Sequence, residues 1–399
     1  MLMHIWQYIF FFSCLAVLYN YAGYALLIHV LNRLKKKEVT PPEEGFFPTV
    51  SFIVAAFNEE DCMEKKIANS LAQDYPRDRI EFIFITDGSS DGTMDIIRRH
   101  PGIQLLHQPE RKGKSAALNR AVGAASHDIL IFSDANTFLN TEATRQITRH
   151  YSQERVGGVA GEKKVIAATG AADEVGATEG LYWKYESYLK QLDSDFYSVV
   201  GAAGELFSLR RNLYEPVPHK VILDDFIISM KVAAQGFRIV YEPGAYAMEL
   251  PSFSIEDEQK RKIRIAAGGF QAMVMLRSLL LFWRQPRLSF LYISHRVLRW
   301  TLSPLCLMLA FISSLILSLG SGHVFFKLLF LGQLLLYGMA LAANFIPQKN
   351  KTPKLMKLAY YFVFMNVSVV LGFFRFLRGK QPSAWEKAKR NPALVQTGE

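Results

Sequence analysis

The sequence is poor in cysteine, with 3 in 399 residues. Cys14 and Cys306 lie inside apolar runs and Cys62 lies in a polar region, and none of them has the short spacing to another ligand that zinc sites show. The sequence therefore predicts neither a structural zinc site nor a disulfide. Internal repeats and low-complexity tracts are also absent, which excludes a solenoid architecture.

Acidic residues are fewer than basic ones, 36 against 46, so the formal net charge is +10. A basic excess can indicate nucleic-acid binding, but here Lys and Arg lie mainly beside apolar runs, where they meet anionic lipid headgroups. We therefore expect a lipid bilayer, and no nucleic acid, as a partner.

Charged residues are missing altogether from several long apolar runs. These runs are Ile5–Leu31, Trp300–Gly322, Leu328–Gln348 and Leu358–Phe374. Each is about 17 to 27 residues long, close to the roughly 20 residues that a helix needs to cross the hydrocarbon layer. The pattern predicts an integral protein of the cell or inner membrane.

The first apolar run has no basic residue before it and is followed by Arg33, Lys35, Lys36 and Lys37. This arrangement favours a retained anchor over a cleaved signal peptide. The positive-inside rule then places the following domain in the cytoplasm. The same rule places the basic C-terminal tail inside, whereas counting each run as one crossing leaves it outside. Either the short run Leu358–Phe374 is re-entrant or shallow, or the stretch near Met273 inserts, and the sequence leaves both open.

The composition divides the chain into an anchor with a basic linker, an α/β domain, an amphipathic interface segment, transmembrane helices and a basic tail. The boundaries are 1–45, 46–255, 256–295, 296–378 and 379–399. The interface segment contains Phe270–Trp283, whose apolar pieces are too short to cross a bilayer and therefore favour an amphipathic helix.

Within the α/β domain, short apolar runs rich in β-branched residues alternate with helical patterns. The predicted strands are Thr49–Phe57, Arg79–Thr86, Ile103–His107 and Asp128–Phe132, and the predicted helices are Asn58–Leu71, Asp91–Arg99 and Ser115–Ala125. Strands that are nearly continuously apolar are typical of a sheet covered on both faces. A doubly wound α/β sheet is expected.

Ligands of such sheets bind beyond the carboxyl ends of the strands. The polar residues at those points are Asn58 and Glu59, Asp87 with Gly88, and Asp134 with Asn136. We expect these groups to converge on one cleft.

The segments Ala55–Glu59, Thr86–Thr93 and Ser133–Asn136, in this order, resemble those of family 2 glycosyltransferases with the GT-A fold. Their joint occurrence at strand ends is more specific than any one of them. The resemblance extends from about Val50 to Arg264 and includes processive synthases of cellulose, chitin, hyaluronan and poly-N-acetylglucosamine. It implies a mixed GT-A sheet, a nucleotide-sugar donor, a glycan or lipid-linked acceptor, and other polysaccharide-assembly proteins as partners.

By this resemblance Asn58, Glu59 and Asp87 line the nucleotide pocket. A carboxylate accepts a hydrogen bond from a uracil N–H or a ribose hydroxyl, but a phosphate needs a cation. Lys114, at the end of a basic loop that begins at Arg111, is one candidate cation; a solvated turn is the alternative for this loop.

Asp134 and Asn136 occupy the Asp-x-Asp position of the family, with an amide in place of the second carboxylate. Mg²⁺ and Mn²⁺ take oxygen ligands from one or two carboxylates together with substrate phosphates. Asp134 is therefore the expected metal ligand and Asn136 a weaker one, and the diphosphate supplies much of the coordination.

Inverting glycosyl transfer requires a base that removes the proton of the acceptor hydroxyl. The resemblance assigns this role to Asp225, with Asp224 as its partner; the alternative is that both acids only stabilise a helix N-terminus. Gly201, Gly204 and Glu205 resemble the acceptor-binding segment, with packing as the alternative for the glycines.

Processive synthases carry Gln-x-x-Arg-Trp, and the corresponding segment here is Arg261–Ile265, with Arg264 retained. Arg261 and Arg264 are expected to clamp the diphosphate leaving group; a basic face against lipid headgroups is the alternative. The sequence thus predicts an inverting, metal-dependent transferase that extends a polysaccharide, using a UDP-linked hexose or N-acetylhexosamine. Single addition to a lipid-linked acceptor, and a non-catalytic protein that binds nucleotide sugars or exports glycan, stay open.

Overall fold

The computed structural model describes residues 1–35, 45–165, 172–249, 255–345 and 353–379. The basic tail predicted for 379–399 lies, apart from Gly379, outside the described residues, and so do Lys36 and Lys37 of the basic cluster.

A mixed sheet of 8 strands, in the order β3-β2-β1-β4-β7-β6-β8-β5, forms the centre of the α/β domain. The strands are β1 (Val50–Ala56), β2 (Ile80–Asp87), β3 (Gln104–Gln108), β4 (Ile129–Asp134), β5 (Phe138–Leu139), β6 (Val156–Val165), β7 (Leu206–Arg210) and β8 (Arg238–Glu249). β1 to β4 are parallel to one another. β7 runs antiparallel to β4 and β6, β8 is parallel to β6, and β5 is antiparallel to β8.

The predicted strands correspond to β1 to β4, with small shifts at their ends. Every residue of β1 is buried, as expected where helices cover both faces of a sheet. The parallel arrangement brings the carboxyl ends of β1, β2 and β4 to one edge. The mixed α/β fold expected from the sequence is confirmed.

Helices follow most strands and cover the sheet. They are α1 (Leu2–Leu18), α2 (Tyr24–Leu34), α3 (Glu60–Leu71), α4 (Thr93–Arg98), α5 (Lys114–Ala124), α6 (Ala143–Thr148), α7 (Ala172–Phe196), α8 (Asp224–Ala234), α9 (Ile255–Met275), α10 (Pro286–Tyr292), α11 (Leu298–Trp300), α12 (Leu302–Gly320), α13 (Val324–Phe345) and α14 (Lys354–Leu377). Two π-helical turns, Tyr19–Gly23 and Ile293–Val297, connect α1 to α2 and α10 to α11.

Among the described residues, 4 helices are long and apolar enough to cross a membrane: Leu2–Leu34, Leu302–Gly320, Val324–Ala343 and Leu355–Leu377. Each coincides with one of the apolar runs in the sequence. The length and composition of these helices are therefore those of a membrane protein.

A buried charged cluster joins the α/β domain to the first of these helices. The hydroxyl of Tyr24 donates to Oδ1 of Asp193 at 2.5 Å, and His295 Nδ1 lies 2.6 Å from Oδ2 of the same carboxylate. Arg296 forms an ion pair with Glu186 at 3.1 Å. Because these charges are paired out of water, the contact orients α7 against α2 and the second π turn.

α9 lies between the loop before α8 and α14. A Cβ added at Gly268 would lie 2.8 Å from Cγ of Leu223, and one added at Gly372 would lie 2.5 Å from Cβ of Ala266. The two glycines therefore permit close approach on both sides. The helix of this region lies earlier than the predicted Phe270–Trp283: α9 ends at Met275 and a 3₁₀ turn follows.

Candidate functional site

The loops after β1 and β2 interlock through Asn58 and Glu59. Asn58 has a φ of 53°, a left-handed conformation that Asn tolerates better than most residues. Its backbone N–H donates to Ser89 Oγ at 3.1 Å, and its Oδ1 accepts the N–H of Ser90 at 2.8 Å. The N–H of Glu59 donates to Thr93 Oγ1 at 2.9 Å. The first two strand ends therefore form one rigid rim.

Asp87 holds the basic loop that precedes α5. Its two carboxylate oxygens accept the N–H groups of Lys112 at 3.1 Å and Gly113 at 2.6 Å, and its side chain is almost fully buried. Gly88 has a φ of +70°, and a Cβ there would lie 3.1 Å from the backbone N of Arg111. The Asp-Gly turn is thus required for the loop to pass this close.

Lys114, the first residue of α5, reaches the end of β4. Its Nζ lies 2.6 Å from Oδ1 of Asp134, and each side chain is 20% exposed. Burial lowers the pKa of Lys114, but the charges of Asp134, Asp224 and Asp225 outweigh it and hold the pKa above its usual value. Burial raises the pKa of Asp134, and Lys114 opposes the shift. The lysine is a fixed cation among carboxylates.

Asp225 borders Gly204 together with Lys114. A Cβ added at Gly204 would be 3.1 Å from Asp225 Oδ2 and 3.2 Å from Lys114 Nζ, so both groups meet over this glycine. Burial, and secondarily the neighbouring charge of Asp224, raise the pKa of Asp225 to about 7, while Lys114 opposes the rise. A carboxylate with this pKa accepts a proton effectively near neutral pH.

Asp224, at the start of α8, is buried, and its Oδ2 has no hydrogen-bond partner among the described residues. Asp225 Oδ1, by contrast, accepts the N–H of Phe226 at 2.8 Å. At the helix start Asp225 thus accepts the N–H of the next residue, and Asp224 keeps one carboxylate oxygen without a hydrogen-bond partner among the described residues.

The predicted acceptor-binding segment contains an ion-paired acid, Glu205, and a tightly packed glycine, Gly201. Glu205 forms an ion pair with Lys163 at 2.6 Å, and Lys163 also contacts Glu249. Although burial raises the pKa of Glu205, Lys163 outweighs it and lowers the pKa. Gly201 has a φ of +82°, and a Cβ there would lie 2.0 Å from the ring of Phe226. Close packing against Phe226 is therefore sufficient to explain why residue 201 is a glycine.

Lys66 is a fully buried lysine on α3 that no motif in the sequence predicted as part of the site. Its Nζ donates to Ser133 Oγ at 2.7 Å and to the carbonyl of Thr137 at 2.8 Å, so it ties together the turn that carries Asp134. Burial lowers its pKa to about 7. A signal was present: Lys66 shares the buried face of α3 with Cys62, Met63, Ile67 and Ser70.

The two arginines of α9 differ. Arg261 binds Glu258 through two contacts, at 2.8 and 3.0 Å. Arg264 forms no hydrogen bond or ion pair with any part of the chain that the structure describes. Arg264 is therefore the better placed of the two to receive an anion.

The residues at the end of β4 offer few ligands for a divalent metal. No group of three or more His, Cys, Asp or Glu side chains able to hold a metal occurs in the described ranges. Asp134 thus offers one carboxylate at the end of β4, with the amide of Asn136 two residues on. Such a set suits Mg²⁺ or Mn²⁺ that takes its other ligands from a diphosphate and water.

Comparisons with known proteins identify relatives of the α/β domain. The family model described as Glycosyl transferase family 2 matches residues 51–217. The poly-beta-1,6-N-acetyl-D-glucosamine synthase of Staphylococcus aureus (strain MSSA476) is 26% identical over 248 residues, 60% of this chain and 58% of that protein. The synthase of the same name from Staphylococcus epidermidis is 23% identical over 289 residues, 70% of this chain and 68% of that protein. The chain thus spans less than two thirds of the length of the first relative.

A solved structure extends the likeness to the whole fold. The mannosyltransferase PcManGT from Pyrobaculum calidifontis, in complex with GDP-Man and Mn²⁺, has a TM-score of 0.69 and 23% identity. The match covers 92% of this chain and 99% of that one. Residues 51–217 thus match a family 2 glycosyltransferase domain, the fold is of the GT-A type, and apolar helices of membrane-spanning length adjoin it.

Proposed function

We propose that the protein is an inverting, metal-dependent glycosyltransferase that moves a sugar from a UDP-linked donor to a growing cell-surface glycan. Its relatives named as poly-N-acetylglucosamine synthases support a hexose or N-acetylhexosamine as the sugar. The basic residues Arg33 and Lys35 after the first apolar helix support a catalytic domain in the cytoplasm.

One observation carries the proposal: Lys114 pairs with the carboxylate of Asp134 and borders Gly204 together with the carboxylate of Asp225. Lys114 Nζ lies 2.6 Å from Asp134, and a Cβ at Gly204 would be 3.1 Å from Asp225 Oδ2. Glycosyl transfer needs a base at the acceptor and positive charge at the diphosphate, and this arrangement supplies both within one site.

In this mechanism Asp225 accepts the proton of the acceptor hydroxyl as its oxygen attacks the anomeric carbon and the bond to the diphosphate breaks. Lys114 offers positive charge to the donor, and Asp87 fixes the loop that carries Lys114. Asn58 and Glu59 form the rim against which the nucleotide binds. Asp134 and Asn136 would hold Mg²⁺ or Mn²⁺, which when bound neutralises charge on the diphosphate.

A second candidate is the addition of one sugar to a lipid-linked acceptor. Two observations favour it: Ile265 stands where processive synthases have Trp, and Arg261 is engaged by Glu258 at 2.8 Å. Product size separates the candidates, because a polymer ladder supports the first and a single lipid-linked adduct supports the second.

The test is sugar transfer in membranes that contain the protein, with labelled UDP-sugars and Mg²⁺ or Mn²⁺, and with GDP-mannose as a competing donor. We expect incorporation that is lost in Asp225→Asn. Equal incorporation by the variant would remove Asp225 as the base. Binding of UDP with no transfer to any acceptor would instead favour the non-catalytic protein.

A further inference from the structure

The contact between α9 and α14 brings two arginines together near the catalytic loop. Gly372 of α14 packs onto α9 so closely that a Cβ there would lie 3.0 Å from the carbonyl oxygen of Ile263. Further along both helices, the ring of Phe270 lies 5.1 Å from that of Phe373. Arg375 follows Gly372 by three residues, so it lies on the same side of α14 as this contact.

Arg264 lies on the side of α9 that faces the aspartates. It precedes Gly268 by one helical turn, and a Cβ at Gly268 would lie 2.8 Å from the side chains of Ile222 and Leu223, just before Asp224. Gln271 also holds this loop, because its Oε1 accepts the N–H of Ile222 at 3.1 Å. Arg264 thus borders the segment that carries the catalytic pair.

These two arginines make no direct hydrogen bond or ion pair within the described ranges, although Asp224 and Asp225 act on Arg264 through their charge. Both Arg264 and Arg375 are only partly exposed. Burial lowers the pKa of Arg264, the charge of Asp224 opposes this, and the charges of Arg261 and Arg375 add to it. The two guanidinium groups therefore repel each other in the free protein, and a bound anion would relieve that repulsion.

We propose that Arg264 and Arg375 together form a phosphate-binding site between the catalytic loop and the last membrane helix. Guanidinium groups bind phosphate oxygens in a bidentate manner, and two of them match the charge of a phosphate. Arg375 is the new element, because it brings a residue of the membrane helix α14 into the site. The inference rests on the proposed function, since it names a ligand group of the same site.

Two sources supply such a phosphate. One is the diphosphate of the nucleotide, which Lys114 approaches from the other side of Asp225. The other is the phosphate of a membrane-anchored acceptor, which would arrive along α14 at the level where the helix meets the catalytic domain. The ligand chemistry is the same, and the experiment separates the sources.

The first arm measures UDP binding, in the presence of Mn²⁺, to the full chain in phosphatidylcholine nanodiscs. If the site takes the diphosphate, Arg375→Met weakens UDP binding about tenfold or more and Arg375→Lys weakens it less. Arg378→Met is the matched control, because Arg378 follows the same helix but is exposed; it leaves the affinity unchanged. Elution as a monodisperse species confirms that each variant is folded.

The second arm measures retention of a polyprenyl phosphate by protein extracted from phosphatidylcholine vesicles that contain it. If the acceptor supplies the phosphate, Arg375→Met loses this retention and keeps its UDP affinity. Vesicles with phosphatidylglycerol serve as the reference: an equal loss there means that Arg375 contacts lipid headgroups in general, which overturns the proposal.

Unchanged behaviour of Arg375→Met in both arms also overturns it. Because both readouts are binding, they are independent of turnover. A wild-type chain that transfers no sugar, but whose UDP affinity falls in Arg375→Met, would contradict the proposed function and leave the phosphate site standing.

Discussion

The ammonium group of Lys114 lies 2.6 Å from Oδ1 of Asp134, and the same ammonium group lies within 3.2 Å of the position that a Cβ at Gly204 would take. Asp225 Oδ2 lies 3.1 Å from that position. One cation thus lies near both the expected metal ligand and the expected base, and its loss would disturb both.

Lys114→Met removes this cation. We expect kcat/KM to fall about 100-fold or more, as happens when a preorganised charge is removed from a reacting centre. Because the charge of Lys114 holds the pKa of Asp225 down, the basic form of Asp225 should also appear only at higher pH in the variant. Initial rates over a pH series measure both effects. Lys112→Met is the control. The side chain of Lys112 is exposed, so its loss should change neither kcat/KM nor the pH dependence.

Transfer should depend on pH through Asp225. Its pKa is raised to about 7, and only the ionised form is a base, so kcat/KM should rise with pH up to about 7 and then level off. Asp224→Asn removes the like charge that contributes to the rise, and the rising limb should move to lower pH. If the rising limb of the pH profile is at the same pH in Asp224→Asn as in the wild type, the coupling assigned to Asp224 and Asp225 is contradicted.

Asp225→Asn should stabilise the fold at alkaline pH. A carboxyl whose pKa is raised on folding contributes its full stability only below its pKa in the unfolded chain, which is near 4. This contribution is lost as the pH rises through the folded pKa of about 7. The amide introduced by the substitution would keep an oxygen for the N–H of Phe226 and carry no charge. At pH 8 the variant should gain about 1 to 3 kcal/mol, and near pH 4 nothing. Thermal unfolding in detergent at several pH values tests the trend.

Gly204→Ala should abolish most activity and leave the fold intact. The new methyl group would press on Asp225 Oδ2 and Lys114 Nζ, each little more than 3 Å away. We expect kcat to fall more than donor affinity, since the disturbed atoms belong to the reacting centre. Gly123→Ala is the control: nothing lies within 4 Å of a Cβ there, and in a helix it should be neutral or slightly stabilising.

Lys66→Met should cost about 1 to 3 kcal/mol, because the carbonyl of Thr137 loses a buried partner. Burial lowers the pKa of Lys66 to about 7, so the folded wild type binds fewer protons than the unfolded chain between about pH 7 and 10. Its stability should therefore rise over that range, and the rise should vanish in the variant. Lys65→Met, exposed on the same helix, should keep it.

The part of the fold that the sequence predicted well is the part with local signals. β1 to β4 are continuous apolar runs that end in polar turns, and the membrane helices are long uncharged runs. The convergence of Asn58, Asp87 and Asp134 followed from one topological rule about parallel strands.

The remaining strands have no such signal. β6 carries Gly157, Gly158, Lys163 and Lys164, and it is a strand because β7 and β8 supply its partners from distant sequence. Lys163 looks like a solvent-exposed lysine until Glu205 and Glu249 are placed around it. Lys66 falls on the apolar face of α3, but its partners Ser133 and Thr137 come from distant sequence. Arg375 likewise has the sequence context of a residue at the basic end of a membrane span. Burial of a charge depends on non-local partners, which no short pattern reveals.

The glycines on either side of α9 have a mechanical consequence. Gly268 meets Leu223, and Gly372 meets Ala266, with no room for even one more carbon atom. A helix packed this tightly on both sides acts as a rigid spacer, so a tilt of α14 cannot be absorbed by side-chain rearrangement. A tilt of α14 would thus be transmitted through α9 to the loop of Asp224 and Asp225.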